Sequence, residues 1–330
     1  MDYRFIADTG VRTSELCFGT MAFGGDADAE TSAAMYRAAR SAGVNHFDCA
    51  DVYNGGASEH ILGDLIAGER DQIVLASKAY FPTGDGPNDR GTSRFHLVRA
   101  VEASLRRLKT DRIDLFWLHR FDDATGLEST LRACEHLVAT GKVLYLGFSN
   151  FAAWQVSKAL GAQARFGWAP GVAIQPMYNL VKRTAEIEML PMAQGEGIAV
   201  FPYSPLGGGL LSGKYTRGTR PSDGRLERWP MYNVRYGDPT YYAAAEDFTA
   251  LAAALGVHPV SLAIRWVGTH PAVTAPIIGA RTVEQLAPAL ASVDVAMDDE
   301  LRARISAITP APPPATDRNE ETSDHNFGSR

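Results

Sequence analysis

The feature that most constrains this chain is a repeated alternation of short apolar segments with longer amphipathic ones. Near-continuous apolar runs predict strands buried on both faces, and strands that alternate with helices predict a parallel sheet. Eight such units favour an α/β fold in which the sheet closes into a (β/α)8 TIM barrel. The predicted strands are Leu16–Gly19, Val44–Phe47, Ile73–Ala76, Ile113–Leu118, Val143–Phe148, Val172–Gln175, Ile198–Tyr203 and Thr274–Ile278. The predicted helices cover 29–42, 57–68, 93–108, 127–140, 151–161, 184–194, parts of 241–269, and 282–291.

An open, doubly wound sheet is the alternative to a barrel. That architecture carries a dinucleotide on a turn with the pattern GxGxxG after its first strand. Here the first predicted strand continues into Gly19-Thr20-Met21-Ala22-Phe23-Gly24-Gly25, which lacks the pattern. The sequence therefore favours the barrel.

Three segments lie outside the alternation. Thr9-Gly10 between short extended segments predicts an N-terminal hairpin within residues 3–14. Residues 212–240 are rich in Gly, Pro, Arg and Tyr, and such a long connection is typical of a lid or binding loop. Residues 310–330 begin with a Pro-rich stretch that excludes a helix, so this tail is either disordered or covers the barrel mouth. We predict one barrel domain over 1–309 and a tail over 310–330.

Composition excludes several classes of function. The 330 residues carry 32 Lys and Arg against 38 Asp and Glu, a net charge of −6, and no basic tract. This balance argues against nucleic acid or an anionic membrane as partner. The three cysteines lack CxxC spacing, and no stretch reaches the length of a membrane-spanning helix. We expect a cytoplasmic protein without a metal site or disulfide framework, and a homo-oligomer is compatible with the sequence.

Polar side chains stand at the ends of three consecutive predicted strands. Asp48 follows the second strand, Lys78 the third and His119 the fourth, and Tyr53 lies in a Gly-rich turn just after Asp48. In a (β/α)8 barrel these strand ends face the active site, and neighbouring strands are about 4.8 Å apart. Each residue alone has an ordinary explanation in capping, packing or solvation. Together they predict a catalytic cluster.

The chemistry that this cluster permits is protonation by a phenol. A free tyrosine has a pKa of about 10 and is a weak acid at neutral pH. We expect the Lys78 ammonium to stabilise the Tyr53 phenolate and lower its pKa, with Asp48 holding the ammonium in place. His119 would orient a carbonyl oxygen by hydrogen bonding. Such a site would stabilise the alkoxide that forms when hydride reaches a carbonyl carbon.

These four residues resemble the catalytic tetrad of the aldo-keto reductases. Asp51-Val52-Tyr53-Asn54-Gly55-Gly56-Ala57-Ser58-Glu59 resembles the family signature around the catalytic tyrosine, and the likeness covers nearly all of residues 3–308. The nearest likeness is to bacterial long-chain members, and potassium-channel β subunits have a similar fold. The resemblance implies reduction of an aldehyde or ketone, in a small molecule or sugar, to an alcohol. NADPH would be the cofactor and Tyr53 the general acid, in a reaction that can be reversible.

The resemblance also implies where the cofactor binds. Ser149 and Asn150, with Gln175, are similar to residues that hold the nicotinamide carboxamide, and Tyr203 would stack on the ring. The run 203–214 is similar to the loop over the pyrophosphate, and its glycines let backbone N–H groups face an anion. A flexible lid without a phosphate explains the same run. The residues assigned to the cofactor are Gly19, Thr20, Met21, Asp48, Ser149, Asn150, Gln175, Tyr203, Ser204, Pro205, Leu206, Gly208, Leu210, Lys214, Gly279, Arg281 and Gln285.

Cofactor preference rests on Arg281. An arginine at a helix N-terminus can bind a phosphate monoester. In the family an arginine here grips the 2′-phosphate of NADP, which favours NADPH over NADH. Pro288 and Ala289 depart from the acidic residue and asparagine that are common there, so dual specificity stays open.

Loop residues would select the substrate. Beside Tyr53 and His119, the aromatic candidates for the mouth are Phe23, Tyr80, Phe81, Phe121, Trp229, Tyr232 and Tyr236. Ordinary loop packing is the alternative explanation for them.

Two other functions stay open. One is an NADP(H)-binding sensor or partner subunit that resembles the potassium-channel β subunits. The other is a Schiff-base aldolase in which Lys78 attacks a carbonyl. Pairing with Asp48 argues against the aldolase, because a paired ammonium stays protonated.

Overall fold

The computed structural model describes residues 1–222, 224–318, 320 and 323. Its first element is an antiparallel hairpin, β1 (Tyr3–Phe5) and β2 (Arg12–Ser14), as predicted. Gly10 in the connecting turn has a φ of +77°, which favours glycine. The Arg4 guanidinium ties the hairpin to the last part of the barrel by donating to the carbonyl oxygens of Val273 and Thr274.

Eight parallel strands in the described chain form one sheet that curls into a barrel. They are β3 (Cys17–Gly19), β4 (His46–Asp48), β5 (Val74–Ala79), β6 (Ile113–Leu118), β7 (Val143–Ser149), β8 (Gly171–Gln175), β9 (Ala199–Val200) and β10 (Ile277–Ile278). Consecutive strands pair from β3 to β9, and β10 pairs with β3. Backbone bonds from Thr274 to Val200 (2.9 Å) and from Ile277 to Pro202 (2.8 Å) join the two remaining edges. The predicted (β/α)8 barrel is confirmed.

Helices surround the barrel. Those in the described residues are α1 (Ala29–Ser41), α2 (Ala57–Ile66), α3 (Arg94–Leu108), α4 (Leu127–Ala139), α5 (Ala153–Phe166), α6 (Met189–Gly195), α7 (Arg225–Arg228), α8 (Pro230–Tyr236), α9 (Pro239–Ala254), α10 (Pro259–Gly268), α11 (Val283–Leu290) and α12 (Asp299–Ser306). Asp28, Ser93 and Asp298 begin α1, α3 and α12, because each side chain accepts a bond from a first-turn N–H group.

The observed helices differ from the predicted ones in three places. The helix expected over 184–194 begins only at Met189, after a 3-10 turn at Thr184–Glu186. The 212–240 connection contains the short helices α7 and α8, and α8 begins at Pro230, a residue suited to the first helical position. The sequence analysis missed α12, although Asp298 followed by two acidic residues is a start signal.

The Pro-rich tail is described only in part. Residues 310–318 contain no helix, as predicted. The prediction that the tail is disordered or covers the mouth also falls on residues 319, 321–322 and 324–330, which lie outside the described residues.

The core has two layers, as expected for strands buried on both faces. Trp117, Phe201 and neighbouring side chains fill the barrel interior, and a larger apolar layer that includes Phe47 and Phe116 lies between the sheet and the helices. All residues of β4 and β5 are buried, and these strands include Asp48 and Lys78. Buried charges need partners, so Asp48 and Lys78 must be paired within this end of the barrel.

Candidate active site

Lys78 connects Asp48 and Tyr53 at the carboxyl end of the barrel. Asp48 ends β4, and Lys78 is the penultimate residue of β5. The Lys78 ammonium forms an ion pair with Asp48 and also donates to Cys49 O (2.7 Å) and Tyr53 Oη (3.2 Å). Each of its three protons therefore has an acceptor. The structure brings these predicted residues together in one network, in which Asp48 and Lys78 are buried and Tyr53 is half-buried.

The same contacts keep Lys78 charged. Burial opposes the charge, but Asp48 and Tyr53 outweigh burial and raise the pKa of Lys78 above its ordinary value. An ammonium has no lone pair with which to attack a carbonyl carbon. The geometry therefore disfavours the Schiff-base aldolase.

Tyr53 begins a 3-10 turn, Tyr53–Gly56, whose conformation depends on Asn54. Asn54 has a φ of +50°, and its Nδ2 donates to the carbonyl oxygens of Met21 (2.9 Å) and Phe23 (2.8 Å). These bonds attach the turn to the segment that follows β3. The sequence analysis did not single out Asn54, although asparagine is enriched at positive φ.

The acidity of Tyr53 differs from the sequence expectation. Burial raises the pKa of Tyr53 to about 12, although Lys78 lowers it. The expected net decrease was wrong, because the cost of desolvating a phenolate exceeds the stabilisation that one ammonium supplies. Tyr53 is therefore a neutral phenol throughout the physiological pH range, and this is the form that can donate a proton.

His119 directly follows β6 and faces Tyr53, with the two rings edge-on and their centroids 6.2 Å apart. Burial, assisted by the charge of Lys78, lowers the pKa of His119 well below its ordinary value, so the imidazole is neutral. Its Nδ1 is buried and has no hydrogen-bond partner among the described residues. Nε2 is the ring nitrogen left for a ligand.

Ser149, Asn150 and Gln175 lie at the ends of β7 and β8 and bond to the cluster. Ser149 Oγ donates to Gln175 O (3.1 Å), and Asn150 Nδ2 donates to His119 O (2.9 Å). Gln175 Nε2 donates to Asp48 Oδ1 (2.9 Å). The structure thus gathers these three predicted cofactor residues beside Asp48 and His119.

Tyr203 starts the glycine-rich segment after β9, and its Oη donates to Asn150 Oδ1 (2.7 Å). Gly207, Gly208 and Gly209 all have positive φ, at +59°, +69° and +101°. A Cβ on Gly208 would lie only 2.8 Å from Tyr232 Cδ1, so this position needs glycine for space as well as for conformation. Among the other residues assigned here, Ser204 and Leu206 are half-buried, Pro205 and Leu210 are buried, and Lys214 is exposed.

Arg281 lies half-buried just before α11, which Thr282 caps. Its backbone N–H donates to Gln285 Oε1 (3.2 Å), so the Gln285 oxygen is occupied. Among the described residues, no carboxylate forms an ion pair with the Arg281 guanidinium. Gly279 is exposed beside it. The guanidinium is therefore available to an external anion.

The three assigned residues at and just after the end of the first barrel strand differ in exposure. Gly19 is half-buried and Met21 is exposed. Thr20 is buried, and its hydroxyl bonds to Asp48 O (3.2 Å) and Ser58 Oγ (2.9 Å). The Thr20 side chain holds the end of β4 and is not free for a ligand.

The aromatic candidates fall into two groups. Phe23 is fully buried against Phe18, and its carbonyl oxygen accepts a bond from Asn54, so it lies in the core and not at the mouth. Tyr232 and Tyr236 are buried over the glycine-rich segment. Partly or largely exposed side chains are Tyr80, Phe81, Phe121 and Trp229.

A buried acidic cluster next to the Tyr53 turn was not predicted. Glu59 accepts from Ser77 Oγ (2.5 Å) and from Arg107 Nε (2.6 Å). Neither carboxylate oxygen of the neighbouring Asp51 has a partner in the described chain. Burial, together with the charge of Glu59, raises the pKa of Asp51 to about 8. Both acids lie in the signature segment, but only the fold reveals their shared environment.

Within the described residues, no group of three or more His, Cys, Asp or Glu side chains is arranged to hold a metal ion. No single described helix has both the length and the apolarity needed to cross a membrane, and α9 with α10 meets that test only as a pair bent by 102°.

A (β/α)8 barrel of this kind is the fold of the aldo-keto reductases. The model of the aldo/keto reductase family matches residues 15–310, and the chain belongs to this family. Its members are oxidoreductases that act on small carbonyl substrates and generally use a nicotinamide cofactor.

Individual relatives cover nearly the whole chain. It is 38% identical over 326 residues to the uncharacterized oxidoreductase YrpG of Bacillus subtilis, which covers 94% of this chain and 97% of YrpG. It is 35% identical over 302 residues to a probable voltage-gated potassium channel subunit beta of Arabidopsis thaliana, a match that covers 89% of this chain and 92% of that subunit. It is also 35% identical over 307 residues to norsolorinic acid reductase stcV of Emericella nidulans, a match that covers 88% of this chain and 77% of that reductase.

Proposed function

We propose that this protein uses NADPH to reduce an aldehyde or ketone of a small molecule or sugar to an alcohol, with Tyr53 as the general acid. The observation that carries the proposal is the hydrogen bond from Lys78 Nζ to Tyr53 Oη, made by an ammonium that Asp48 holds in place. The chemistry is assigned to residues 1–309 as one domain.

In this reaction Tyr53 donates one proton, and its neighbours stabilise and orient the groups that take part. The bound cofactor supplies the hydride to the carbonyl carbon. Tyr53 Oη gives its proton to the carbonyl oxygen, so a C–H and an O–H bond form and the carbonyl becomes an alcohol. Lys78 stabilises the phenolate that remains, and a proton from solvent restores the phenol. His119 would donate from Nε2 to the same oxygen and orient it.

The described residues suit a dinucleotide phosphate. Positive φ at three consecutive glycines lets the backbone approach an anion closely, although the Gly207 and Gly209 N–H groups donate to Ser204 O (2.9 Å) and Leu206 O (3.0 Å). The Arg281 guanidinium lacks a carboxylate partner in the described chain. Ser149, Asn150 and Gln175 would hold the carboxamide, and Tyr203 would stack on the nicotinamide. Arg281 supports NADPH over NADH, because an arginine can bind the 2′-phosphate in a bidentate manner.

The decisive experiment is reduction of an activated aromatic aldehyde by native protein and by Tyr53→Phe, followed as NADPH consumption. Loss of the general acid should lower kcat at least about a hundredfold. Binding of NADPH to both proteins, measured by fluorescence, controls for folding. Equal turnover by the two proteins would disprove the role of Tyr53.

A partner subunit that senses NADP(H) is the second candidate, and the 35% identity to the Arabidopsis subunit named above favours it. The two candidates differ in turnover. Tight NADPH binding without reduction of any aldehyde or ketone in a broad panel would support the sensor and count against the reductase.

A further inference from the structure

The imidazole of His119 lacks the hydrogen bond that usually orients a functional histidine. Such a ring is normally fixed by an acceptor at its second nitrogen. Here the backbone of His119 is held, because its N–H donates to Ala79 O (3.2 Å) and its carbonyl accepts from Asn150. The ring, however, has a buried Nδ1 without a partner among the described residues.

Aromatic packing takes the place of that hydrogen bond. Phe81 lies edge-on to the imidazole, with the centroids 4.8 Å apart and the planes at 80°. Tyr80 packs edge-on against Phe81 at 5.2 Å, and the Tyr80 carbonyl accepts from Gly91 N (2.8 Å). Phe81 is therefore itself held by the loop between β5 and α3. The imidazole thus pairs edge-on with both Phe81 and Tyr53, the residue assigned as proton donor.

We infer that Phe81 is a positioning residue that sets the rotamer and the tautomer of His119, an inference that rests on the proposed reductase function. A neutral imidazole carries one N–H group, and orphaned buried donors are rarer than orphaned acceptors. The buried Nδ1 is therefore the unprotonated nitrogen, and the proton is on Nε2. The Phe81 ring keeps that Nε2–H directed at the position of the carbonyl oxygen.

A fixed Nε2–H has a stereochemical consequence. The direction of the carbonyl oxygen decides which face of a prochiral ketone receives the hydride. When the imidazole can rotate, both faces become accessible. The selectivity of the reduction therefore reports on the imidazole separately from protein stability.

The test compares native protein with Phe81→Leu, Phe81→Tyr and the control Phe166→Leu. Phe166 also forms an aromatic pair, with Trp168 at 4.7 Å, but it is partly exposed at the end of α5. The readouts are kcat/KM and product enantiomeric ratio for a prochiral aryl ketone. The 15N spectrum of His119, assigned by comparison with His119→Gln, gives the tautomer without turnover.

Phe81→Leu should lower kcat/KM about tenfold, reduce the enantiomeric ratio and mix the tautomers of His119. Phe81→Tyr, which keeps the aromatic ring, should retain more of the native enantiomeric ratio and His119 tautomer than Phe81→Leu, and Phe166→Leu should match native protein. Changed selectivity with an unchanged His119 spectrum would overturn the inference, because Phe81 would then contact the substrate directly. No change in either readout would also overturn it. If native protein has no turnover, the proposed function fails, and the spectrum still decides the role of Phe81.

Discussion

The amide nitrogen of Gln175 lies 2.9 Å from Oδ1 of Asp48, although 127 positions separate the two residues. The bond crosses the mouth of the barrel from β8 to β4, which are not neighbours in the sheet. Asp48 Oδ2 pairs with Lys78, so each carboxylate oxygen has its own donor. Gln175 thereby joins the segment assigned to the cofactor with the one assigned to catalysis.

Replacing Gln175 by Leu should destabilise the protein, because Oδ1 of the buried Asp48 loses its donor. A hydrogen bond to a charged group contributes about 1.5–3 kcal/mol, and we expect a loss of that size in the free energy of unfolding measured with urea. Gln194→Leu, at an exposed position of α6, is the control. An equal effect in both variants would show that the Asp48 contact is unimportant.

Asp51→Asn should stabilise the protein at alkaline pH. The pKa of Asp51 is about 8 in the fold and about 3.9 in an unfolded chain, so folding takes up a proton between these values. Native stability therefore falls as pH rises through this window, and the variant lacks that loss. Relative to native protein, the free energy of unfolding of Asp51→Asn should increase by about 1–4 kcal/mol between pH 5 and pH 8. The measurement is the Tm of the variant minus that of native protein at the two pH values. Asp85→Asn, on an exposed loop, should show no such rise.

The pH profile of reduction should be flat from about pH 6 to 10, because neither proposed proton-handling group ionises there. His119 has a pKa well below its ordinary value, and that of Tyr53 is about 12. The measurement is kcat/KM for the carbonyl substrate, which reports on the free enzyme. A bend near pH 8 that disappears in Asp51→Asn would be assigned to Asp51. A bend that persists in the variant would contradict the neutral states given to Tyr53 and His119.

Gly208→Ala should impair both folding and NADPH binding. Its φ is +69°, and the new Cβ would lie 2.8 Å from Tyr232 Cδ1. Backbone strain of this kind costs about 1–3 kcal/mol, and the contact with Tyr232 adds to it. Gly209→Ala also has positive φ, but its nearest atom is 3.8 Å away. Tm and NADPH affinity should fall further for Gly208→Ala, and equal losses would remove the role given to Tyr232.

Arg281→Gln should weaken NADPH selectively. Loss of a charge-assisted bond to the 2′-phosphate should raise KM for NADPH by about 10- to 100-fold and leave KM for NADH nearly unchanged. Arg132→Gln, exposed on α4, should change neither constant. An equal change for both cofactors would place Arg281 away from the 2′-phosphate.

Local pattern in the sequence predicted the barrel because burial on both faces leaves near-continuous apolar runs at each strand. The same regularity explains why Asp48, Lys78 and His119 were named together, since equivalent positions on adjacent parallel strands must be close. Short strands such as β9 and β10 were predicted too long, because the ends of apolar runs do not mark where backbone pairing stops.

Tertiary structure alone decided the protonation states and the partners between distant segments. The net pKa of Tyr53 depends on how completely its phenol is removed from water, and spacing along the chain does not contain that quantity. The sequence likewise did not reveal the burial of Phe23, the cluster of Asp51 with Glu59, or the packing of Phe81 on His119. Each depends on burial and side-chain packing that exist only in the folded barrel. Periodicity thus determined the architecture and the strand-end positions of Asp48, Lys78 and His119, whereas desolvation and contacts between remote segments determined the protonation states of the clustered groups.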